Sequence, residues 1–148
     1  MKTWRLNLEE VAVRGGANVG VEIVAADLTA ATATQTINLL TVAAKMGAAL
    51  VSIELKEAFA SSDETLISTA FTVGDGSLAT RWLSSTEANA AGTEVFLKGG
   101  TLANTALPYV FTGDDTIDLF LTATTGKALN THTAGKLRLY FNVTDARA

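Results

Sequence analysis

Residues 136–144 read Lys136-Leu137-Arg138-Leu139-Tyr140-Phe141-Asn142-Val143-Thr144. Leu137, Leu139, Phe141 and Val143 fall on one side of this stretch. Lys136, Arg138, Tyr140, Asn142 and Thr144 fall on the other. Side chains in a strand alternate faces with period two, so the pattern predicts a strand with one face on a core and the other in water. The pattern recurs at spacings typical of all-β domains, and it predicts a β-sandwich of about eight antiparallel strands.

Working back from that stretch, seven further strands are expected. They are Val21–Leu28, Thr34–Thr41, Ala48–Phe59, Glu64–Val73, Thr93–Lys98, Ala106–Thr112 and Asp115–Thr124. In the third, Val51, Ile53 and Leu55 should face inward. In the fourth, Ile67, Phe71 and Val73 share a side. In the seventh, Ile117, Leu119 and Leu121 point in and Asp118 points out. Pro108, the sole proline, cannot donate to a ladder, so its strand belongs at an edge or begins there. Gly74-Asp75-Gly76, Gly99-Gly100, Gly113-Asp114-Asp115 and Thr125-Gly126-Lys127 supply turn chemistry. The Ala-rich pieces Ala30–Ala33 and Thr41–Gly47 could instead form short helical turns. Residues 77–92 carry no strand pattern and read as a long loop holding Arg81 and Trp82.

Residues 1–20 differ from the rest. Trp4, Leu6 and Leu8 alternate with polar residues, and Gly15, Gly16 and Gly20 follow. The reading is an extended N-terminal arm over 1–20 and a single β-sandwich domain over 21–148. An indole on an arm needs a packing partner, either on another molecule or back on its own sandwich.

With 148 residues, one core needs no covalent staple. Charged residues make up only 18% of the chain, so polar surface must come largely from Thr, Ser and Asn, and weakly charged surface favours oligomerisation. The net charge of −4 and the lack of a basic run disfavour nucleic acid as a partner. There is no cysteine, which removes disulfides and thiolate metal sites and suits synthesis in a reducing cytosol. No stretch of about 18 apolar residues exists to span a membrane, and the N-terminal residues lack a signal-peptide core.

Chemistry is sparse. His132 is the sole histidine and reads as an exposed turn residue. The serines at 61–62 and 84–85 have no nucleophile-elbow context. Asp114, Asp115 and Asp118 cluster in sequence, yet aspartates at turns satisfy nearby backbone N–H groups. Asp75, Asp114 and Asp115 are calcium-type ligands without a calcium-loop spacing. Trp82 with Tyr109 and Phe111 could form an aromatic platform, or Trp82 could close an end of the sandwich. The expectation is no catalytic residue, no cofactor and no metal site.

Four segments together carry a resemblance: L-V-S-I-E-L-K-E-A-F (50–59), T-V-G-D-G-S-L-A-T-R-W-L (72–83), P-Y-V-F-T-G-D-D-T-I-D-L-F-L-T-A-T (108–124) and T-A-G-K-L-R-L-Y-F-N-V-T-D (133–145). In order and spacing they resemble small structural proteins of tailed bacteriophages over about residues 48–146. The resemblance implies a virion component, most nearly a capsid decoration or cement protein with a jelly-roll-like sandwich, made in the host cytoplasm and placed on the capsid surface. The implied partners are the major capsid protein and further copies of itself, as a homotrimer at threefold sites. The interaction residues expected are Trp4, Leu6 and Leu8 on the arm, with Arg81 and Trp82 in the loop. The alternative is a carbohydrate- or receptor-binding module of a head or tail fibre, with Arg81, Trp82 and Tyr109 as its site.

Overall fold

The computed structural model describes residues 1–89, 95–97 and 108–145. Among these residues, ten strands form two antiparallel sheets. Sheet A contains β1 (Lys2–Arg5), β2 (Val19–Val24), β10 (His132–Asp145), β4 (Met46–Ser61) and β7 (Val95–Leu97) in that order, with β8 (Tyr109–Val110) also paired to β4. Sheet B is β3 (Thr34–Val42), β9 (Asp115–Ala123), β5 (Thr69–Gly74) and β6 (Leu83–Glu87). The one α-helix among the described residues, α1 (Leu8–Val13), lies between β1 and β2.

The deciding stretch forms most of β10, the middle strand of sheet A. Leu139 sits opposite Val21 of β2 on one side and Ile53 of β4 on the other. Leu137, Leu139 and Phe141 are buried as expected. They meet Ile117, Leu119 and Leu121 of β9, with Phe71 and Val73 of β5, in the layer between the sheets. Alternation on both sheets thus encloses a single apolar core.

Several expectations need correction. The expected strand at 64–73 begins only at Thr69; Ile67 lies before it and is 76% exposed. The expected 77–92 loop contains β6, an edge strand that turns only Leu83 fully inward. The strand expected over 21–28 ends at Val24 and continues as a 3-10 turn. The possible helical turn at 41–47 is instead a tight turn with Lys45 at a φ of 67°, entering β4. Pro108 precedes the two-residue β8 beside Gly47 and Ala48. The Gly99-Gly100 turn lies outside the described residues.

His132 is not an exposed turn residue. It is buried, with Nδ1 2.7 Å from the Leu129 carbonyl and Nε2 2.9 Å from the Thr69 hydroxyl. It ties β10 to β5 across the sandwich. Asp118 does lie on the face opposite Ile117 and Leu119, but it too is buried.

Candidate interaction surface

The N-terminal residues do not hang free. β1 pairs antiparallel with β2, placing Trp4 opposite Gly20. A Cβ on Gly20 would stand 2.4 Å from the indole, so only glycine leaves room for Trp4 to lie across the sheet. The indole meets the Tyr140 ring edge-on, at 6.1 Å between centroids. Of the two partners open to Trp4, the chain uses its own sandwich.

α1 follows at once. Asn7 caps it: its Oδ1 accepts from the Glu10 N–H, and Glu10 Oε2 accepts from the Asn7 N–H, each at 2.9 Å. This reciprocal pair holds a six-residue helix that has no buried residue of its own. Beyond it, Asn18 extends the sheet with its side chain. Its Nδ2 donates to the Val143 carbonyl at 2.7 Å, and its Oδ1 accepts from the Val143 N–H at 2.9 Å.

A charged and aromatic network sits beneath this segment. Arg14 forms an ion pair with Glu54 and lies over the Tyr140 ring at 4.2 Å. The Tyr140 hydroxyl donates to Glu54 Oε2 at 3.1 Å. Arg138 pairs with Glu22 at 2.7 Å. Burial, followed by the Glu54 charge, raises the Tyr140 phenol above its ordinary pKa. The Glu22 hydrogen bond, partly offset by burial, raises that of the Arg138 guanidinium. A groove of about 630 Å³ runs between α1 and sheet A, lined in part by Trp4, Leu6, Val13, Arg14, Arg138 and Tyr140.

Of the expected interaction residues, Trp4 and Leu6 line this groove and Leu8 stands in solvent on α1, 89% exposed. Val13, which the sequence reading passed over, is 83% exposed on the same helix. Free-standing large aliphatic side chains on a capped helix form a surface suited to burial against something else. Arg14, Glu22, Glu54, Arg138 and Tyr140 were also passed over as members of a site. Their one sequence signal was membership of the polar side of alternating strands, which does not reveal who meets whom.

Arg81 and Trp82 lie elsewhere, at the turn that leads into β6. Trp82 is 1% exposed and packs with Tyr109 and Phe111, the latter two rings 5.0 Å apart. Its indole is part of the core and has no face to offer a sugar. Arg81 stacks on Tyr109 at 3.7 Å and pairs with buried Asp75. Asp75 also accepts from Ser77 N–H, Ser77 Oγ and Leu78 N–H. Burial pushes its pKa upward, but these donors and Arg81 outweigh that and hold it below the usual carboxylate value. The cluster is a brace for the 75–81 turn.

Among the described residues no group of three or more His, Asp or Glu side chains could hold a metal ion. Both nitrogens of His132 are engaged within the fold. No helix among the described residues is long and apolar enough to cross a membrane.

Two antiparallel sheets face to face, one extended at its edge by β1 and covered beside it by α1 and the Trp4 side chain, define the class: an all-β sandwich with a built-on N-terminal cover. Within it, the chain is similar to one from the capsid asymmetric unit of cyanophage Pam1. The TM-score is 0.51 and identity 19%, over 84% of this chain and 79% of that one. A chain of the acid-stable capsid structure of Helicobacter pylori bacteriophage KHP30 also matches, with a TM-score of 0.40 and identity of 13%, over 95% of this chain and 90% of that one. At such identities the Pam1 likeness is one of fold. No protein-family model matches the chain, and no curated protein does.

Proposed function

We propose that this protein is a non-enzymatic structural component of a phage virion, a decoration or cement protein that binds the outside of the capsid and stabilises it. The observation that carries this reading is α1, which a capping box holds in shape while Leu8 and Val13 remain uncovered by their own chain. The fold likeness to a chain of the Pam1 capsid asymmetric unit supports it, as do the four segments that resemble tailed-phage structural proteins. The major capsid protein is the partner in this reading, contacted by Leu8 and Val13 with Leu6 and Trp4 as their base. Self-association as a homotrimer belongs to the same proposal, since threefold capsid sites present three equivalent contacts. Neither nucleic acid nor membrane is a partner in it.

The affinity would come mainly from burying apolar surface, with the exposed Glu9 and Glu10 setting orientation at the rim. Co-sedimentation with the phage's own capsids, stripped of this protein, tests the reading. The double variant Leu8→Ser/Val13→Ser should melt like the parent, because neither side chain packs on the fold, yet bind at least about tenfold more weakly. Parent protein that fails to bind stripped capsids would sink the reading. Binding that the double variant retains in full would remove α1 from it.

A further inference from the structure

Sheet edges are where this molecule departs from the usual protection. A free edge presents unpaired N–H and C=O groups and is commonly guarded by Lys, Pro or short length. In sheet A, β1 carries Lys2 and Arg5 at its two ends, while β7 and β8 span only three and two residues. In sheet B, β6 ends in Glu87. β3 is different. It runs nine residues, T-Q-T-I-N-L-L-T-V, with no charge, proline or glycine, and among the described residues β9 is its sole partner strand. Its one irregularity is a register shift against β9 between Asn38 and Leu40. Among the described residues no strand pairs with the other edge of residues 34–38, where the Thr34 carbonyl accepts from the Thr32 hydroxyl at 3.1 Å.

The side chains exposed around that edge are equally uncharged; the one carboxylate beside it, Asp118 of β9 opposite Asn38, is buried. Thr34, Thr36 and Asn38 are exposed on the outer face of sheet B, beside Phe120 and Thr122 of β9. We infer that this edge is a self-complementary interface, where β3 pairs antiparallel with β3 of a second copy about a twofold axis near Thr36. In that register Thr36 stands opposite Thr36 of the other copy, and Thr34 opposite Asn38. Cross-strand Thr pairs are favourable, and no like charges meet. The same operation at β1 would set Lys2 against Arg5, which like-charge repulsion opposes. Charge thus selects β3 over β1, and selects a copy of itself over a charged strand. Five paired residues span only about 17 Å, so the contact is small and reversible in solution. It is also separate from α1 and needs no capsid.

The absence of cysteine makes the test direct. In Thr36→Cys the only thiols are those that the twofold would bring together, at a cross-strand separation a disulfide can span. Gly113→Cys is the collision control, since Gly113 is exposed and a Cβ there meets nothing within 4 Å. Under mild oxidation Thr36→Cys should form covalent dimer at least about tenfold faster than the control, because pairing raises the local thiol concentration. Sedimentation velocity gives a second readout: association that grows with concentration in the parent should be lost in Thr36→Lys, which places two ammonium groups face to face. Equal oxidation rates in the two cysteine variants overturn the inference. So does self-association that Thr36→Lys leaves intact.

Discussion

On the outside of sheet A, Tyr140 is 3% exposed beneath Trp4 and Arg14; on the outside of sheet B, Thr34, Thr36 and Thr122 stand in solvent. Both faces come from strands of the same alternating kind. One is covered by the Trp4 indole and by the segment that follows β1, with the Arg14–Glu54 ion pair against the Tyr140 ring. The other has been left flat and nearly uncharged. A polar side chain on the non-core face of a strand therefore has no fixed environment. What crosses over it decides whether it acts as a solvated group or as part of a second, smaller packing layer.

Three substitutions probe that difference, in falling order of effect. Phe141→Ala empties part of the layer between the sheets and should lower unfolding free energy by about 3–5 kcal/mol, read from urea denaturation. It sets the scale for a core loss. Tyr140→Ala, one residue away on the roofed face, should cost about 2 kcal/mol, because the ring is buried under Trp4 and its hydroxyl serves Glu54. A cost within about 0.5 kcal/mol, typical of open surface, would show that the roof contributes nothing.

Asp118→Asn should have the smallest effect and the opposite sign. Asp118 is the exception on sheet B's outer face. Its Oδ2 accepts from Thr116 at 3.1 Å, while its buried Oδ1 has no partner among the described residues. Burial, then the charges of Asp115 and Asp75, raise its pKa, although the Thr116 bond works the other way. A raised native pKa means that the neutral acid is the better fit. Stability from this group is complete below the unfolded value near 3.9 and is lost as pH rises through the native one. The Asn variant should therefore gain on the parent at pH 7, and the gap should close as pH falls toward about 4. Asp75 and Glu87, whose native pKa values are lowered, act in reverse and lose their contributions at lower pH, in both proteins alike. A gap that stays constant from pH 7 to pH 4 would show that Asp118 does not titrate as described.

The legible part of the fold was the part dictated by period. Leu137, Leu139 and Phe141 on β10, and Ile117, Leu119 and Leu121 on β9, alternate strictly because both strands run through the middle of a two-layer core. Edge elements were less legible. β6 reads Leu83-Ser84-Ser85-Thr86-Glu87, and with one apolar residue facing in it looks like loop. Trp82 could be read either as a platform or as a plug, since one aromatic residue cannot report which rings surround it. The N-terminal cover depends on Gly20, Trp4 and Tyr140 converging from three strands. No local pattern announces a contact between residues 4 and 140, because strand order is set by global packing. The open edge of β3 was hidden for the same reason: its sequence resembles any inner strand, and its exposure follows from having β9 alone as a neighbour.

The place of β10 has a consequence for how the molecule is made. The strand at the centre of sheet A lies at residues 132–145, and its partners are β2 and β4, more than seventy residues upstream. During translation those earlier strands emerge with the edges that β10 will pair still unmet. Folding dominated by such distant pairings is slow, on the millisecond-to-second scale, and sheet A cannot close until β10 has emerged. A ribosome that stalls before residue 132 would therefore release a chain without its central strand, a fragment inclined to aggregate rather than a smaller working protein.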